Sequence, residues 1–242
     1  MLHPFILKQT TEYHTMSLAI FDLDNTLLAD DSDYLWGEYL VNQGIVDADY
    51  YAAENERFYQ EYKAGTLDIH EFLKFSLKPL ADHSLADLQN WRADFMIRVI
   101  QPILLKSAQT LVRKHHDRGD TLLVITATNS FVTAPIVKQY GIPNLIATTP
   151  ELINGQFTGK VDGTPCFQAG KVTRLQQWLK TTGLNLEDSW FYSDSHNDLP
   201  LLEQVTHPIA VNPDTKLSNH AIKHNWPIID LRTEECPTEH LK

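Results

Sequence analysis

Two aspartates, one residue apart, close an apolar run in LAIFDLDNTLL, which begins at Leu18. The run stops at Asp22 and Asp24 and then reaches Thr26. Later stretches carry groups of matching chemistry. TLLVIT ends on Thr126, with Thr128 and Asn129 just beyond it. Lys171 opens GKVTRLQQWLKTTG, and SDSHND supplies Asp194, Asn197 and Asp198. Carboxylates brought to one point repel each other unless a hard cation sits among them, and oxygen donors without His or Cys select Mg²⁺. An ion held by a few carboxylates keeps positions for waters and a phosphate. Lys171 then offers a fixed positive charge to a phosphoryl oxygen, and the Thr126 hydroxyl donates to another. One Asp can attack phosphorus and form an aspartyl phosphate. Its neighbour two along can protonate the leaving oxygen and then deprotonate the attacking water.

These residues meet only if the elements before them run side by side. LAIFD (18–22), TLLVIT (121–126) and WFYSD (190–194) are continuously apolar, as strands covered on both faces must be. PIAV (208–211) and PIID (227–230) are further predicted strands. PILLKSAQTLVRKHHDRG, FVTAPIVKQYG and GKVTRLQQWLKTTG read as helices ending at glycines. The alternation predicts an α/β fold, a doubly wound parallel sheet with ligands outside the carboxyl ends of its strands. LINGQFTGKV predicts a hairpin turning at Asn154-Gly155. Residues 34–98 hold no convincing strand and read as about four helices, one of them capped by Ser84. The expected division is a core of 17–33 and 99–235, a helical insert at 34–98, an extension at 1–16 and a tail at 236–242.

Composition narrows the function. The chain has 242 residues, 43% of them hydrophobic, and a formal net charge of -11. That balance, with no Lys/Arg stripe, argues against nucleic acid. Cys166 and Cys236 form no metal pattern, and two thiols in a chain this long fit a cytoplasmic protein. No apolar run reaches the ~18 residues of a membrane span. The first residues lack the pattern of a signal peptide, and Met16 is an alternative translation start. The expected partner is a small phosphorylated metabolite, with the chain a monomer or homodimer.

DLDNT (22–26), Thr126, Lys171 and DSHND (194–198) resemble the four motifs of the haloacid dehalogenase (HAD) superfamily, in their usual order. The early helical insert resembles subfamily IB with its C1-type cap, the branch of phosphoserine phosphatase-like and histidinol-phosphatase-like hydrolases. The similarity spans about 17 to 230. It implies a Rossmann-like core and a Mg²⁺-dependent phosphatase. Asp22 would be nucleophile and metal ligand. Asp24 would be general acid/base, binding the metal through its carbonyl. Asp194 would be the third protein ligand. Asp198 would position the metal's waters and Lys171. Thr126 and Lys171 would hold the phosphoryl group, with Asn197 nearby and the amides of Leu23 and Thr128 contributing.

The chain departs from the phosphoserine enzymes in ways that bear on substrate. The second motif reads TATNS, which holds Thr128 and Asn129, where those enzymes show Ser-Gly-Gly, and the fourth reads SDSHND in place of a Gly-rich form. Where those enzymes carry a Glu for the substrate ammonium, Asp31 or Asp33 is the nearest equivalent. Where they carry a cap Arg for the carboxylate, LDIHEFLKFSL offers only Lys74. An acid kept and an Arg lost favour an amine without a carboxylate, hence histidinol phosphate over phosphoserine. The cap aromatics Tyr34, Trp36, Phe58, Phe72 and Phe75 read as core, one of them available to stack on a substrate ring. His196 reads as an exposed loop residue. Two other functions use similar residues. A phospho-accepting receiver-like switch also clusters Asp, Thr and Lys on a doubly wound sheet, but needs no acid at Asp24. A phosphotransferase would share the scaffold.

Overall fold

The computed structural model describes residues 17–233 and 241. The expected extension at 1–16 lies outside the described residues, as does the tail from 236 apart from Leu241. The chain opens with β1 (Leu18–Phe21) and enters a run of helices: α1 (Ser32–Asn42), α2 (Ala48–Ala64), α3 (Ile69–Ser76), α4 (Lys78–Asp82) and α5 (Leu85–Phe95). A π turn, Met96–Ile100, joins α5 to α6 (Gln101–Ile103). The α/β alternation then resumes with α7 (Lys106–Asp117), β2 (Thr121–Asn129), α8 (Ser130–Gln139) and β3 (Asn144–Thr148). The hairpin of β4 (Pro150–Ile153) and β5 (Gln156–Val161) follows, then α9 (Ala169–Thr182) and β6 (Trp190–Ser193). The last elements are α10 (Leu199–Leu202), β7 (His207–Val211), α11 (Thr215–His224) and β8 (Ile228–Ile229).

Six strands form one sheet in the order β3-β2-β1-β6-β7-β8, every neighbouring pair parallel. Its centre is dry on both sides. Ala19 and Phe21 of β1 belong to one buried cluster, Leu18 and Ile20 to the other. Leu122 and Val124 of β2 divide from Leu123 and Ile125 in the same way. That two-sided burial is why the central strands are apolar without alternation. The helices between β1 and α7 add Trp36, Phe58, Leu73 and Phe75 to the first cluster, so they share a core with one face of the sheet.

Three elements differ from their sequence reading. β3 was not predicted: its five residues follow Pro143 and begin at a polar Asn144, so the local signal resembles a loop. The insert, read as about four helices, holds five α-helices among the described residues: α3 and α4 are separate because Pro79 opens α4 in the first turn, where its missing N–H costs nothing. β2 runs on past Thr126 to Asn129 through a shift in register against β3. That irregularity takes Thr128 out of the regular ladder and bears directly on the site.

Candidate active site

The carboxyl ends of β1, β2 and β6 are adjacent in the sheet, so the residues after them converge. Asp22 extends β1 by one step, its amide donating to the Tyr192 carbonyl at 2.9 Å. Its Oδ1 accepts from Lys171 Nζ at 2.8 Å, and the same ammonium donates to Asp198 at 2.8 Å. Ser193 Oγ donates to Asp198 at 2.7 Å. Asp22, Lys171 and Asp198 are all buried. Lys171 reaches them from the first turn of α9, a place unfavourable to a cation unless anions hold it.

Asp24 is held from two other elements. Its Oδ1 accepts the Ser32 amide at 2.7 Å, at the start of α1. Its Oδ2 accepts the Thr128 hydroxyl at 2.8 Å and the Thr126 hydroxyl at 3.4 Å. The Thr128 amide in turn donates to Thr126 Oγ1. Thr26 ties the first motif to the fourth: its hydroxyl donates to Asp194 Oδ1 at 3.2 Å and accepts the Asp194 amide at 3.1 Å.

One ammonium faces several carboxyls, and their proton affinities record the imbalance. Burial pushes Asp22 up to about 7; Lys171 pulls it down, while Asp198 and Asp24 push it up again. Burial also raises Asp24, against the hydrogen bonds from Ser32 and Thr128. Asp194 stands well above the usual carboxylate range through burial and the charges of Asp22 and Asp198. Burial works against the charge on Lys171, yet Asp198 and Asp22 outweigh it and hold its pKa above the ordinary value.

Among the described residues, no three His, Cys, Asp or Glu side chains form a group that can hold a metal. The donor set implied by the motifs is different in kind: the carboxylates of Asp22 and Asp194 and the backbone carbonyl of Asp24. No described backbone donor reaches that carbonyl. Two raised carboxyls and an open carbonyl fit a hard divalent cation, which would relieve the repulsion that raises them.

The insert closes over this cluster. Asp31, Asp33, Tyr34, Asn55, Phe58, Tyr59, Tyr62 and Phe72 line one cavity together with Asp22, Asp24, Thr126, Thr128 and Lys171. The two acids after the first motif have separate tasks. Asp31 caps α1, accepting the amides of Asp33 and Tyr34 at 2.9 and 3.0 Å. Asp33 receives no described donor, and burial followed by the nearby Asp24 raises it to about 7.

Two expected substrate contacts, Lys74 and Asn129, do not line this cavity, and Asn197 stands beside it. Lys74 is exposed and opens into a separate groove on the insert with Tyr50, Tyr51 and Lys78. Asn129 caps α8, its side chain accepting the Val132 amide at 3.2 Å. Asn197 spends its amide group on protein, donating to the Tyr62 carbonyl and accepting from Gln168. Tyr62 was not singled out in the sequence. Burial, then the charges of Asp194, Asp22 and Asp198, push its hydroxyl pKa well up, so it stands against the cluster. An aromatic in a helix of mixed polarity gives no local sign of such a place.

Comparison with known proteins agrees with this geometry. Residues 19–203 match the family described as haloacid dehalogenase-like hydrolase. A histidinol-phosphatase of Neisseria meningitidis serogroup C is 46% identical over 220 residues, spanning 89% of this chain and 99% of the relative. A phosphoserine phosphatase of Mycobacterium tuberculosis is 29% identical over 88% of this chain and 70% of its own length. Among solved structures, a Bordetella pertussis protein of unknown function superposes with a TM-score of 0.85 at 47% identity, covering 90% of this chain and 99% of that one. A substrate-bound phosphoserine phosphatase shares the fold at a TM-score of 0.66 and 19% identity, over 90% and 94% of the two chains.

Proposed function

The chain belongs to the haloacid dehalogenase-like hydrolases and is a phosphatase; from that premise we propose that it hydrolyses a small amine-bearing phosphomonoester, histidinol phosphate in preference to phosphoserine, through an aspartyl phosphate on Asp22. The observation that carries the chemistry is the division of partners between the two acids: Asp22 is bound to Lys171, whereas Asp24 is bound to Thr128 and Ser32.

Asp22 attacks phosphorus and the ester oxygen leaves. Asp24, its pKa raised by burial, gives that oxygen a proton and later takes one from the incoming water. Lys171 and the Thr126 hydroxyl bind phosphoryl oxygens, and Asp198 fixes the ammonium in place. Mg²⁺, held by Asp22, Asp194 and the Asp24 carbonyl, would supply charge neutralisation to the phosphoryl oxygens when bound.

The organic half of the substrate meets the insert, residues 34–98. Asp33 is the acid with a free carboxylate, so a substrate ammonium pairs with it rather than with Asp31, whose oxygen is spent on the helix cap. Tyr34, Phe58, Tyr59 and Phe72 give an aromatic wall suited to an imidazole ring. Among the described residues no arginine lines the cavity, and Lys74 lies outside it, so a substrate carboxylate would find no cationic partner beyond the phosphoryl group's Lys171. The 46% identity with a histidinol-phosphatase of Neisseria meningitidis supports the same reading.

The deciding experiment measures phosphate release from a panel of phosphomonoesters with and without Mg²⁺, with Asp22→Asn as control. Mg²⁺-dependent turnover with kcat/KM highest for histidinol phosphate is the expected result. Higher kcat/KM for phosphoserine overturns the substrate, and full activity in the Asn variant overturns the mechanism.

A further inference from the structure

The cavity over Asp22 and Asp24 measures about 60 Å³. Its wall is shared between the carboxyl edge of the sheet and α2 of the insert, so both must be in place for the pocket to be complete. Whatever holds the insert in this position sets how often the complete pocket exists.

α2 carries Asn55, Phe58, Tyr59 and Tyr62 of the pocket wall, and its last turn is pinned to the core. Gly65, at φ 79°, ends the helix in the left-handed region. Its amide donates to the Tyr62 carbonyl, and that of Thr66 to the Glu61 carbonyl. The Ala64 carbonyl is left for a donor outside the helix, and Lys216 Nζ of α11 fills it at 2.8 Å. A cation there also suits the negative end of the helix dipole. Asn197 Nδ2, in the fourth motif, donates to the Tyr62 carbonyl at 3.1 Å, and Gln168 holds the other end of that amide at 2.9 Å. His196 completes the contact. A Cβ on Gly65 would stand 2.6 Å from its Nε2. The ring cannot easily yield, because Asp214 binds both its Nδ1, at 2.7 Å, and its backbone amide, at 2.8 Å.

We propose that the fourth-motif loop is the seat on which the insert docks, with Gly65 and Lys216 as positioning residues that hold α2 closed over the catalytic cluster. The loop that presents Asp194 and Asp198 to the chemistry is the same loop that receives α2. Docking therefore delivers Tyr62 and the rest of the α2 wall to the site in one movement. Neither Gly65 nor Lys216 touches the reacting atoms. Loosening the seat lowers the fraction of molecules with a complete pocket, which raises KM and leaves the chemical step intact.

The test uses Gly65→Ala and Lys216→Ala, which attack the joint from opposite sides, and Lys216→Arg, which keeps a cationic donor. Hydrogen–deuterium exchange of the 58–66 segment reads the seat with no substrate present. p-Nitrophenyl phosphate hydrolysis reads the pocket. In Gly65→Ala, exchange of that segment and KM should each rise about tenfold while kcat stays within about twofold. Lys216→Ala should give about threefold, the size expected of one exposed cation at a helix end. Lys216→Arg should restore both. Unchanged exchange and KM in both alanine variants overturns the proposal. So does equally faster exchange throughout the sheet, or a fall in kcat at constant KM. The inference rests on phosphatase activity and not on the choice of substrate: failure of the wild type on histidinol phosphate alone refutes the substrate reading and leaves the seat standing.

Discussion

Two buried polar clusters share the central strands of this sheet, one at each end. At the carboxyl ends, Asp22, Asp24, Asp194 and Asp198 gather around one described ammonium, that of Lys171, which binds Asp22 and Asp198. At the other end, Asp120, just before β2, accepts from His115 Nδ1 at 2.6 Å, and His115 Nε2 meets the Tyr192 hydroxyl at 2.8 Å. Arg118 adds a second partner to Asp120 at 3.3 Å. Burial alone would raise Asp120, but His115 and Arg118 outweigh it and lower its pKa. Burial lowers His115, so near neutrality the imidazole is uncharged, donating to the ionised Asp120 and accepting from Tyr192. Every group in this second cluster has a partner of the right kind. In the first, burial pushes Asp22 and Asp194 upward, and the neighbouring carboxylates, which outnumber the cation, push them further. Burial is common to both clusters; completeness separates them. A satisfied buried network holds a fold together, and an unsatisfied one waits for a ligand.

The largest effects should come from breaking the unsatisfied cluster. Asp22→Asn should lower phosphate release roughly ten-thousand-fold while leaving the urea midpoint at or above wild type, since it removes one member of a repelling group. Activity lost together with stability would erase the contrast. Lys171→Met should lower kcat/KM roughly hundredfold or more and also destabilise by about 3 kcal/mol at pH 8, because Asp22 and Asp198 are left buried without their cation. That cost should shrink in acid, where the stranded carboxyls take up protons. His115→Ala should do the reverse of Asp22→Asn: about 2–4 kcal/mol lost in urea unfolding, from a cavity and two unpaired polar groups, with kcat unchanged.

The smallest effect is the sharpest test of sign. Asp33, at about 7, binds its proton more tightly in the native state than in the unfolded chain. Its ionisation therefore costs stability that is absent near pH 4, grows as pH rises, and is complete above 7. Asp33→Asn should be close to neutral at pH 4 and stabilise by at least ~1 kcal/mol at pH 8, compared by thermal melts at both pH values. Equal effects at both would place Asp33 among satisfied groups like Asp120. The same variant should raise KM for histidinol phosphate more than for a phosphomonoester that carries no ammonium group.

The core end of the site was legible in the sequence because each group follows a strand whose apolar run announces it. Asp22, Thr126 and Asp194 need only parallel neighbours to meet. The insert was legible as helices and opaque as a pocket. Asp31 and Asp33 look alike in LLADDSDY; the start of α1 makes one a cap and leaves the other free. Lys74 sits in an amphipathic segment whose orientation depends on how α3 lies against α2, and it faces outward. Asn129 carries the chemistry of a substrate contact, but its place before α8 commits it to the helix end.

Sequence alone determined the parallel sheet, the residues gathered at its carboxyl edge and the phosphatase class, because strand burial and residue type are local properties that motifs preserve. Tertiary structure alone decided which acid is taken up by a helix cap, that Tyr62 joins the cavity wall beside Asp22, and that Gly65 meets His196 across the seam. Those facts depend on how a helical insert folds back across more than a hundred residues of chain onto the fourth-motif loop. No local pattern records a contact made at that separation.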